Sequence, residues 1–330
     1  AWVGAALLAV HVAEMSAFHS AMPGYHFARY AQVGATDVMP SPAVASLGAA
    51  ARAEGQRVLA ADGSRNLFLR PNLPRAWGIP AASGTGSLGS AAYGGALQMG
   101  GPGDIGPEAL RAEPRGIDLF AVRYVIIPES WGVTDQLATS QPERWSVVNR
   151  IQFRAADPGT RYAVLQNRRA QPPAWCAPSA RPLEDEEARV AIVSGELGAG
   201  SFDPSQVALV SEGRDALDGP RGSEPPTVER AGADRPRQFR VKTSQPCMLV
   251  FSESYYPWWR ARIDGVDHLP ERVNLAMVGV RLPAGEHVVE FRLQPTSVWQ
   301  GLAVSVVALA ILGGLLMWLV SRTRLTLGGL

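Results

Sequence analysis

Residues 252–265 read SESYYPWWRARIDG, and four of the five positions from 255 to 259 are aromatic. In the segment WRARI at 259–263, apolar W, A and I alternate with two arginines, which is the period of a β-strand with one apolar face. Asp264 and Gly265 then form a dipeptide typical of a tight turn between strands. The stretch predicts a strand whose apolar face must be covered by a second sheet.

Further short apolar runs flank this strand and are separated by turn residues. They occupy residues 161–166, 190–193, 237–242, 247–251, 276–282 and 288–293. This number and spacing of strands predicts an antiparallel β-sandwich over residues 158–298. The sequence PAGE at 283–286 predicts a hairpin between the last two runs, with Val289, Phe291 and Leu293 on one face. The acidic residues 184–187 and the proline-rich residues 214–226 are interpreted as solvated loops.

Residues 21–157 read as a mixed α/β unit. An alanine-rich segment within 39–59 follows two prolines and predicts a helix, and strands are expected at 57–60 and 66–69. Residues 117–128 predict a helix end and then a buried strand closed by proline. The expected fold class is therefore α+β, a mixed α/β unit followed by an antiparallel β-sandwich.

A membrane helix is predicted at residues 299–320, which contain no charged side chain. About 20 apolar residues span a bilayer, and tryptophans lie at the interfaces of many such helices, as Trp299 and Trp318 would here. Arg322 and Arg324 follow, so the positive-inside rule predicts a cytoplasmic tail at 321–330 and an extracytoplasmic location for the preceding region. A buried helix of a soluble protein is the alternative.

The start of the chain suggests a second membrane helix. Residues 1–20 are uncharged apart from Glu14 and are rich in apolar side chains, and no Lys or Arg precedes Arg29. A signal peptide would begin with basic residues. We interpret residues 1–20 as the end of a transmembrane helix and its exit, so that such helices flank the extracytoplasmic region and the chain is expected to be a fragment.

The overall charge argues against binding to nucleic acid. The 31 basic and 30 acidic residues give a net charge of +1, whereas phosphate backbones are bound by clustered Lys and Arg. Only two cysteines occur, Cys176 and Cys247. An oxidising compartment would permit a disulfide between them, and two buried free thiols are an equal alternative.

No catalytic, cofactor or metal residue is predicted. Residues 84–89, GTGSLG, fit the dinucleotide pattern G-x-G-x-x-G, but Pro80 lies where a central strand should precede it and no good helix follows. We therefore interpret these glycines as a loop. The five histidines show no metal-ligand spacing, and the G-x-S-x-G and H-E-x-x-H motifs do not occur.

The aromatic cluster at 255–259 has two interpretations. Its side chains could form a platform for sugar rings, with polar neighbours binding hydroxyl groups. Alternatively, Tyr256 and Trp259 belong to the sandwich core, which is the interpretation that we favour, while Trp258 points the opposite way. The candidate substrate-binding residues are Trp258, Glu253, Tyr255 and Arg260.

Several motifs in order resemble one family. YYPWWRA at 255–261 with the following DG, and VRLPAGEHVVEF at 280–291 before an apolar helix, resemble the C-terminal end of bacterial YfhO-family membrane proteins. LFAVRYVII at 119–127, NRRAQPPAW at 167–175 and RPNLP at 70–74 resemble upstream motifs of that family. The sequence departs from the family where Trp258 replaces a usual Gly, where Ala174 replaces Arg, and near Gly84, where an expected Tyr is missing.

The resemblance implies a multi-spanning membrane protein with a GT-C-like fold in the cytoplasmic membrane. Such a glycosyltransferase would transfer sugar from a polyprenyl-phosphate donor to a cell-envelope glycan or lipid acceptor. Its catalytic residues would lie in an N-terminal membrane half outside this chain, and the present region would position the acceptor. The alternative function is a non-catalytic, membrane-anchored module that binds carbohydrate or protein. A membrane-anchored soluble hydrolase is disfavoured, because no catalytic constellation occurs.

Overall fold

The computed structural model describes residues 42–61, 77–82, 91–100, 105–111, 115–152, 161–219, 225–232, 235–294 and 296–327. The predictions for residues 1–20, 66–69 and 84–89 lie outside these ranges. Residues Asp37–Leu293 belong to one compact unit, and Gln294–Leu330 belong to a second. The first unit combines short helices with several β-sheets, which confirms the α+β fold class.

The helices of the first unit are short and lie mostly in its N-terminal half. Helix α1 begins at Pro42, whose fixed φ suits a first helical position, and it buries Val44, Gly48 and Ala51 on one face. Gly55 ends α1 in the left-handed region at φ 71°. The described helices are α1 (Pro42–Glu54), α2 (Ala91–Leu97), α3 (Pro107–Arg111), α4 (Arg115–Leu119), α5 (Thr134–Ser140) and α6 (Asp185–Ser194), with a 3-10 turn at Glu129–Trp131.

The first sheet has four strands in the order β1–β2–β4–β3. They are β1 (Arg57–Ala60), β2 (Val122–Pro128), β3 (Trp145–Gln152) and β4 (Arg161–Asn167). Strand β1 is parallel to β2, and the other pairs are antiparallel. On β2, Val125 and Ile127 face a core shared with α2, whereas Tyr124 and Ile126 face the core beneath α1. Strand β2 is thus covered on both faces, as its nearly continuous apolar sequence predicts.

Two more sheets form a β-sandwich. The six-stranded sheet, in spatial order, contains β5 (Ala174–Ala177), β12 (Cys247–Ser254), β16 (Met277–Leu282), β15 (Glu271–Val273), β9 (Val207–Ser211) and β6 (Ser179–Leu183). The five-stranded sheet contains β10 (Thr227–Arg230), β11 (Gln238–Thr243), β17 (Gly285–Leu293), β13 (Trp259–Ile263) and β14 (Val266–His268). A separate pair consists of β7 (Glu196–Leu197) and β8 (Gly200–Ser201).

The sandwich core lies between the inner faces of these two sheets. Trp259, Ala261 and Ile263 point into it from β13, as their alternation predicts, and all three are buried. Phe251 from the facing sheet stacks on Phe291 at 5.0 Å between ring centroids and meets Trp259 edge-on at 5.9 Å. The aromatic contacts therefore link β12 of one sheet to β13 and β17 of the other.

The last two strands do not form the predicted hairpin. Strand β16 lies in the six-stranded sheet and β17 in the five-stranded sheet, so residues 283–284 carry the chain from one sheet to the other. Val280 and Phe291 nevertheless enter the same core. A short turn with apolar alternation on both sides fits either arrangement, and the need to cover both inner faces decides between them.

Two other strand predictions are corrected. Strand β4, which the sequence assigned to the sandwich, pairs with β2 and β3 in the first sheet. Residues 190–193 were predicted as a strand and form the end of α6, which buries Ala188, Ala191 and Ile192 at helical spacing. The acidic residues before them, interpreted as a loop, mostly occupy the first turn of α6, where negative charge is favoured by the helix dipole.

A buried polar cluster joins α4 to β3 and β4. The Arg144 guanidinium lies 2.9 Å from Asp118 Oδ1, and both side chains are more than nine-tenths buried. Asn167 donates from Nδ2 to the same Asp118 oxygen at 2.8 Å and to the Val122 carbonyl at 3.0 Å. Asn167 begins the motif NRRAQPPAW, so the first residue of that motif has a structural role here. Removing one partner would leave a buried charge unpaired.

In the second unit, the structure describes helix α7 (Thr296–Leu327). Its segment Trp299–Trp318 has a mean hydropathy of 2.2 and none of it is buried by protein. The helix is long and apolar enough to cross a membrane, which suggests membrane association. The sequence cue for this helix was the uncharged run at 299–320.

The different burial of the neighbouring residues Trp258 and Trp259 predicts that their substitution affects stability differently. Trp259 is 3% exposed and Trp258 is 37% exposed. We expect Trp259→Ala to lower the free energy of unfolding by about 3–5 kcal/mol, as large-to-small core substitutions do. The matched control Trp258→Ala should cost less than about 1 kcal/mol. Denaturant unfolding of the two variants measures this difference, and equal losses would contradict the assignment.

Candidate functional site

The aromatic loop, residues 255–258, connects β12 to β13 and crosses from the six-stranded to the five-stranded sheet. Hydrogen bonds hold both of its ends. The Tyr255 amide donates to the Ala276 carbonyl at 2.8 Å, and the Trp259 amide donates to the Tyr256 carbonyl at 3.0 Å. The Trp259 indole Nε1 adds a bond to the Ser254 carbonyl at 2.9 Å. The buried Trp259 therefore anchors a loop whose other aromatics point elsewhere.

A register shift precedes the aromatic loop. The pairing between β12 and β16 is irregular between Phe251 and Ser254. Such bulges bend a strand and change the direction of its side chains. Ser252 keeps a backbone partner, because its amide donates to the Pro173 carbonyl at 2.9 Å. The bulge ends the regular pairing and lets the chain leave the six-stranded sheet.

The aromatic pair, Tyr256 and Trp258, is the exposed part of this loop. The side chains are 40% and 37% exposed, their ring centroids are 6.4 Å apart and their planes are inclined by only 7°. Pro257 lies between them and restricts the backbone. The result is a pair of nearly parallel rings held on a short, anchored turn. Apolar rings at a protein surface commonly mark a binding site.

The exposure of Tyr256 corrects the prediction that it belongs to the core. Counted back from Trp259, alternation would place residues 256 and 258 on the outward face, and both are exposed, although residues 255–258 are not part of a strand. Trp258 points outward, as predicted. Tyr255 is half-buried and packs against the sandwich core.

Arg260 supports the aromatic loop from β13. Its Nη1 donates to the Trp259 carbonyl at 2.7 Å and to the Pro257 carbonyl at 3.0 Å. Both bonds are made by Nη1. The other guanidinium donors of Arg260, on Nε and Nη2, have no protein partner within the described part of the chain. Arg260 carries these donors and binds the loop at Pro257, the residue between the two exposed aromatic residues. They could bind hydroxyl or carboxylate oxygens of a ligand.

Glu253 connects the sandwich to the first sheet. Its Oε1 accepts from Arg57 Nη2 at 2.8 Å, and the Glu253 side chain is 41% exposed. Arg57 also donates to the Phe120 carbonyl at 2.7 Å and to Ser252 Oγ at 3.3 Å. One carboxylate oxygen of Glu253 is therefore used for structure. The second oxygen, Oε2, is available as an acceptor.

A tight turn stabilised by the Asp264 carboxylate follows the C-terminal end of β13. Asp264 and Gly265 adopt positive φ values of 50° and 89°, as the predicted tight turn requires. Asp264 Oδ2 lies 2.7 Å from His287 Nδ1, and Oδ1 accepts from the Val288 amide at 2.8 Å. The hydrogen bond from His287, together with that from Val288, holds the pKa of Asp264 below its usual value.

Other forms of chemistry have little support in the described residues. Within those ranges, no group of three or more His, Cys, Asp and Glu side chains could hold a metal ion. The outer face of the five-stranded sheet is charged and internally paired. Its ion pairs are Arg262–Asp267, Lys242–Glu286 and Arg292–Glu290, at 2.9, 3.0 and 2.7 Å. The aromatic pair with Arg260 combines exposed ring surface with unused donors and is the candidate site considered below.

Comparisons with known proteins place the chain near no established family. No family model matches it, and no curated protein matches it. Among solved structures, it is similar to the arabinofuranosyltransferase AftD from Mycobacteria, with 24% identity over 23% of this chain and 7% of that chain, at a TM-score of 0.16. The match spans a small part of that enzyme's length and is too weak to assign a fold or function. The YfhO-family resemblance remains a prediction.

The hydrogen bonds of the Asp264 carboxylate predict that the stability of the fold depends on pH. Because the pKa of Asp264 is lower in the folded state, its stabilisation is complete above the unfolded value of about 3.9 and is lost as pH falls through the folded value. We expect Asp264→Asn to lower Tm by a few degrees at pH 7, and the gap to the wild type should narrow below about pH 4.

Thermal melts between pH 7 and pH 2 measure this effect. Asp267→Asn is the control, because it removes an exposed ion pair from the same hairpin and should leave Tm at pH 7 nearly unchanged. A constant difference between wild type and Asp264→Asn over the whole pH range would contradict the assigned role of the carboxylate.

Proposed function

We propose that the region ending at Leu293 is the extracytoplasmic part of a membrane glycosyltransferase and that it holds the acceptor glycan. The proposed donor is a polyprenyl-phosphate sugar, and the acceptor is a cell-envelope glycan or lipid. In this proposal, catalytic residues lie in an N-terminal membrane half outside the chain, and the protein resides in the cytoplasmic membrane. The ordered motifs resembling the YfhO family support it, as does the exposed apolar segment Trp299–Trp318.

The observation that carries the proposal is the exposed aromatic pair. The faces of aromatic rings are electronegative, so they attract the slightly positive C–H groups that cover one side of a sugar ring. Tyr256 and Trp258 offer such faces at nearly the same inclination. Burial of ring and sugar C–H surface would supply affinity, and it would require no charge on the glycan.

Polar residues that flank the aromatic loop in the sequence would orient the glycan. Arg260 retains unused N–H donors for sugar hydroxyls, and Glu253 retains Oε2 as an acceptor. Tyr255 would act from beneath the loop, since it packs on the sandwich core and keeps the turn in place. A few convergent polar groups beside apolar surface are typical of sites that fix a ligand's orientation. Trp258, Tyr256 and Arg260 would make the direct contacts.

Substitutions in the aromatic pair should weaken glycan binding. We expect Trp258→Ala and Tyr256→Ala each to reduce affinity for envelope glycan fragments about 10-fold, which corresponds to about 1.4 kcal/mol for one lost ring contact. Isothermal titration with the detergent-solubilised full chain measures the change. Leu269→Ala is the matched control, because Leu269 is 73% exposed but lies beyond β14, outside the aromatic loop. Equal affinities for all variants would contradict the proposed site.

A transfer assay separates the enzyme from a binding module. Membrane vesicles containing the complete protein would be supplied with radiolabelled polyprenyl-phosphate sugars and acceptor glycan. We expect labelled glycan with the wild type, and a raised acceptor KM with little change in kcat for Trp258→Ala, because positioning is lost while chemistry is retained. Glycan binding without transfer from any donor would instead identify a non-catalytic carbohydrate-binding module.

A further inference from the structure

The two cysteines of the chain meet between neighbouring strands. Cys176 lies on β5 and Cys247 on β12, and the register of this antiparallel pair places Cys176 opposite Leu249. The two Sγ atoms are 2.7 Å apart. A disulfide bond measures about 2.05 Å, and non-bonded heavy atoms pack at about 3.5–4.0 Å. Both thiols are free in the structure, and their sulfurs are closer together than ordinary packing distance.

Both cysteines are buried in the sandwich core. Cys176 and Cys247 are 7% and 1% exposed and belong to the sandwich core with Leu249 and Leu282. Strand β5 has four residues and is an edge strand of the six-stranded sheet, with β12 as its neighbour in that sheet. A bond between the sulfurs would fix this short strand to the centre of the sandwich.

One of the two cysteines borders a surface cleft. The proline cleft, a cavity of about 400 Å³, is lined by residues that include Cys176, Trp175, Gln206, Pro225 and Pro226. Cys247 does not line it. The cleft therefore brings a reagent next to residue Cys176, and the Cys247 Sγ lies 2.7 Å from the Cys176 Sγ. This is the arrangement of an entry thiol and a resolving thiol.

We propose that Cys176 and Cys247 form a disulfide and that a disulfide-bearing oxidant reaches them through the proline cleft. The Cys176 thiolate attacks the oxidant's S–S bond, forms a mixed disulfide and releases one oxidant thiolate. The Cys247 thiolate then attacks Cys176 Sγ, which forms the intrachain bond and releases the second oxidant thiolate. Two electrons pass to the oxidant, and the two cysteine protons are transferred through solvent to its thiolates.

Hydrogen bonding within the reduced pair shifts the pKa values of the two thiols in opposite directions. The hydrogen bond between the two sulfurs lowers the pKa of Cys247, and a bond with Thr243 contributes in the same direction against the effect of burial. The same contact, together with burial, raises the pKa of Cys176. Because the Cys176 thiol must lose its proton before it attacks, the first attack should become faster as pH rises.

Thiol counting tests the proposal directly, because the chain contains only these two cysteines. The reduced, detergent-solubilised full chain would be equilibrated with glutathione buffers, denatured and labelled with maleimide. We expect the number of free thiols to fall from two to zero as the buffer becomes oxidising, with Tm rising by roughly 5–15 °C. Two free thiols in fully oxidised glutathione would overturn the proposal.

Single-cysteine variants test the route. Cys247→Ser should accumulate one glutathione on Cys176, whereas Cys176→Ser should react at least about 10-fold more slowly, because its remaining thiol does not line the cleft. Equal labelling rates would overturn the assignment of Cys176 as the entry thiol. The double variant Cys176→Ser/Cys247→Ser is the control, and a Tm that still depends on the glutathione ratio in that variant would show that the disulfide is not the cause.

Discussion

Strand β12 must be buried on both faces, and the rest of the first unit is arranged around this requirement. Met248 and Val250 point into the core shared with the helices and the first sheet, whereas Leu249 and Phe251 point into the sandwich core. A strand buried on both sides has a strongly specified register, because a slip of one residue would exchange its two faces. Neighbouring strands β5 and β16 are fixed by the same register.

The aromatic loop is a consequence of how β12 ends. The pairing of β12 with β16 becomes irregular after Phe251. The chain then crosses to the five-stranded sheet, where Trp259 is buried in the sandwich core. Between Ser254, the last residue of β12, and Trp259 the chain has only residues 255–258. Aromatic side chains placed in that turn cannot all reach the core, so Tyr256 and Trp258 remain at the surface. Burial of one tryptophan and exposure of its neighbour thus have a common cause.

Local alternation was the most informative feature of the sequence. It predicted the inward face of β13 and the inward positions Val289 and Phe291 of β17, which the structure confirms. Leu293, predicted on the same face as those two, is 39% exposed because it is the last residue of its strand. Alternation identifies the face of a strand, but it does not identify the sheet to which that strand belongs. The partners of β4 and β17 were therefore mispredicted.

Two other features depended on contacts that a sequence pattern does not contain. The run VAIV in α6 has a strand-like composition, and its helical state follows from burial of Ala188, Ala191 and Ile192 at helical spacing. Tyr256 was assigned to the core together with Trp259, although strict alternation from Trp259 places residue 256 on the opposite face. The exposed state of Trp258 was predicted, because adjacent residues of a strand point in opposite directions. The aromatic pair could be recognised as a unit only from the structure.

Hydroxyl-radical footprinting of the full chain, with and without envelope glycan, tests the central claim most directly. The account predicts oxidation of Tyr256 and Trp258 in the free protein, no oxidation of the buried Trp259, and protection of both exposed rings when glycan binds. Protection that appears elsewhere on the domain while Tyr256 and Trp258 continue to be oxidised at the same rate would contradict the assignment of the aromatic pair as the glycan-binding surface.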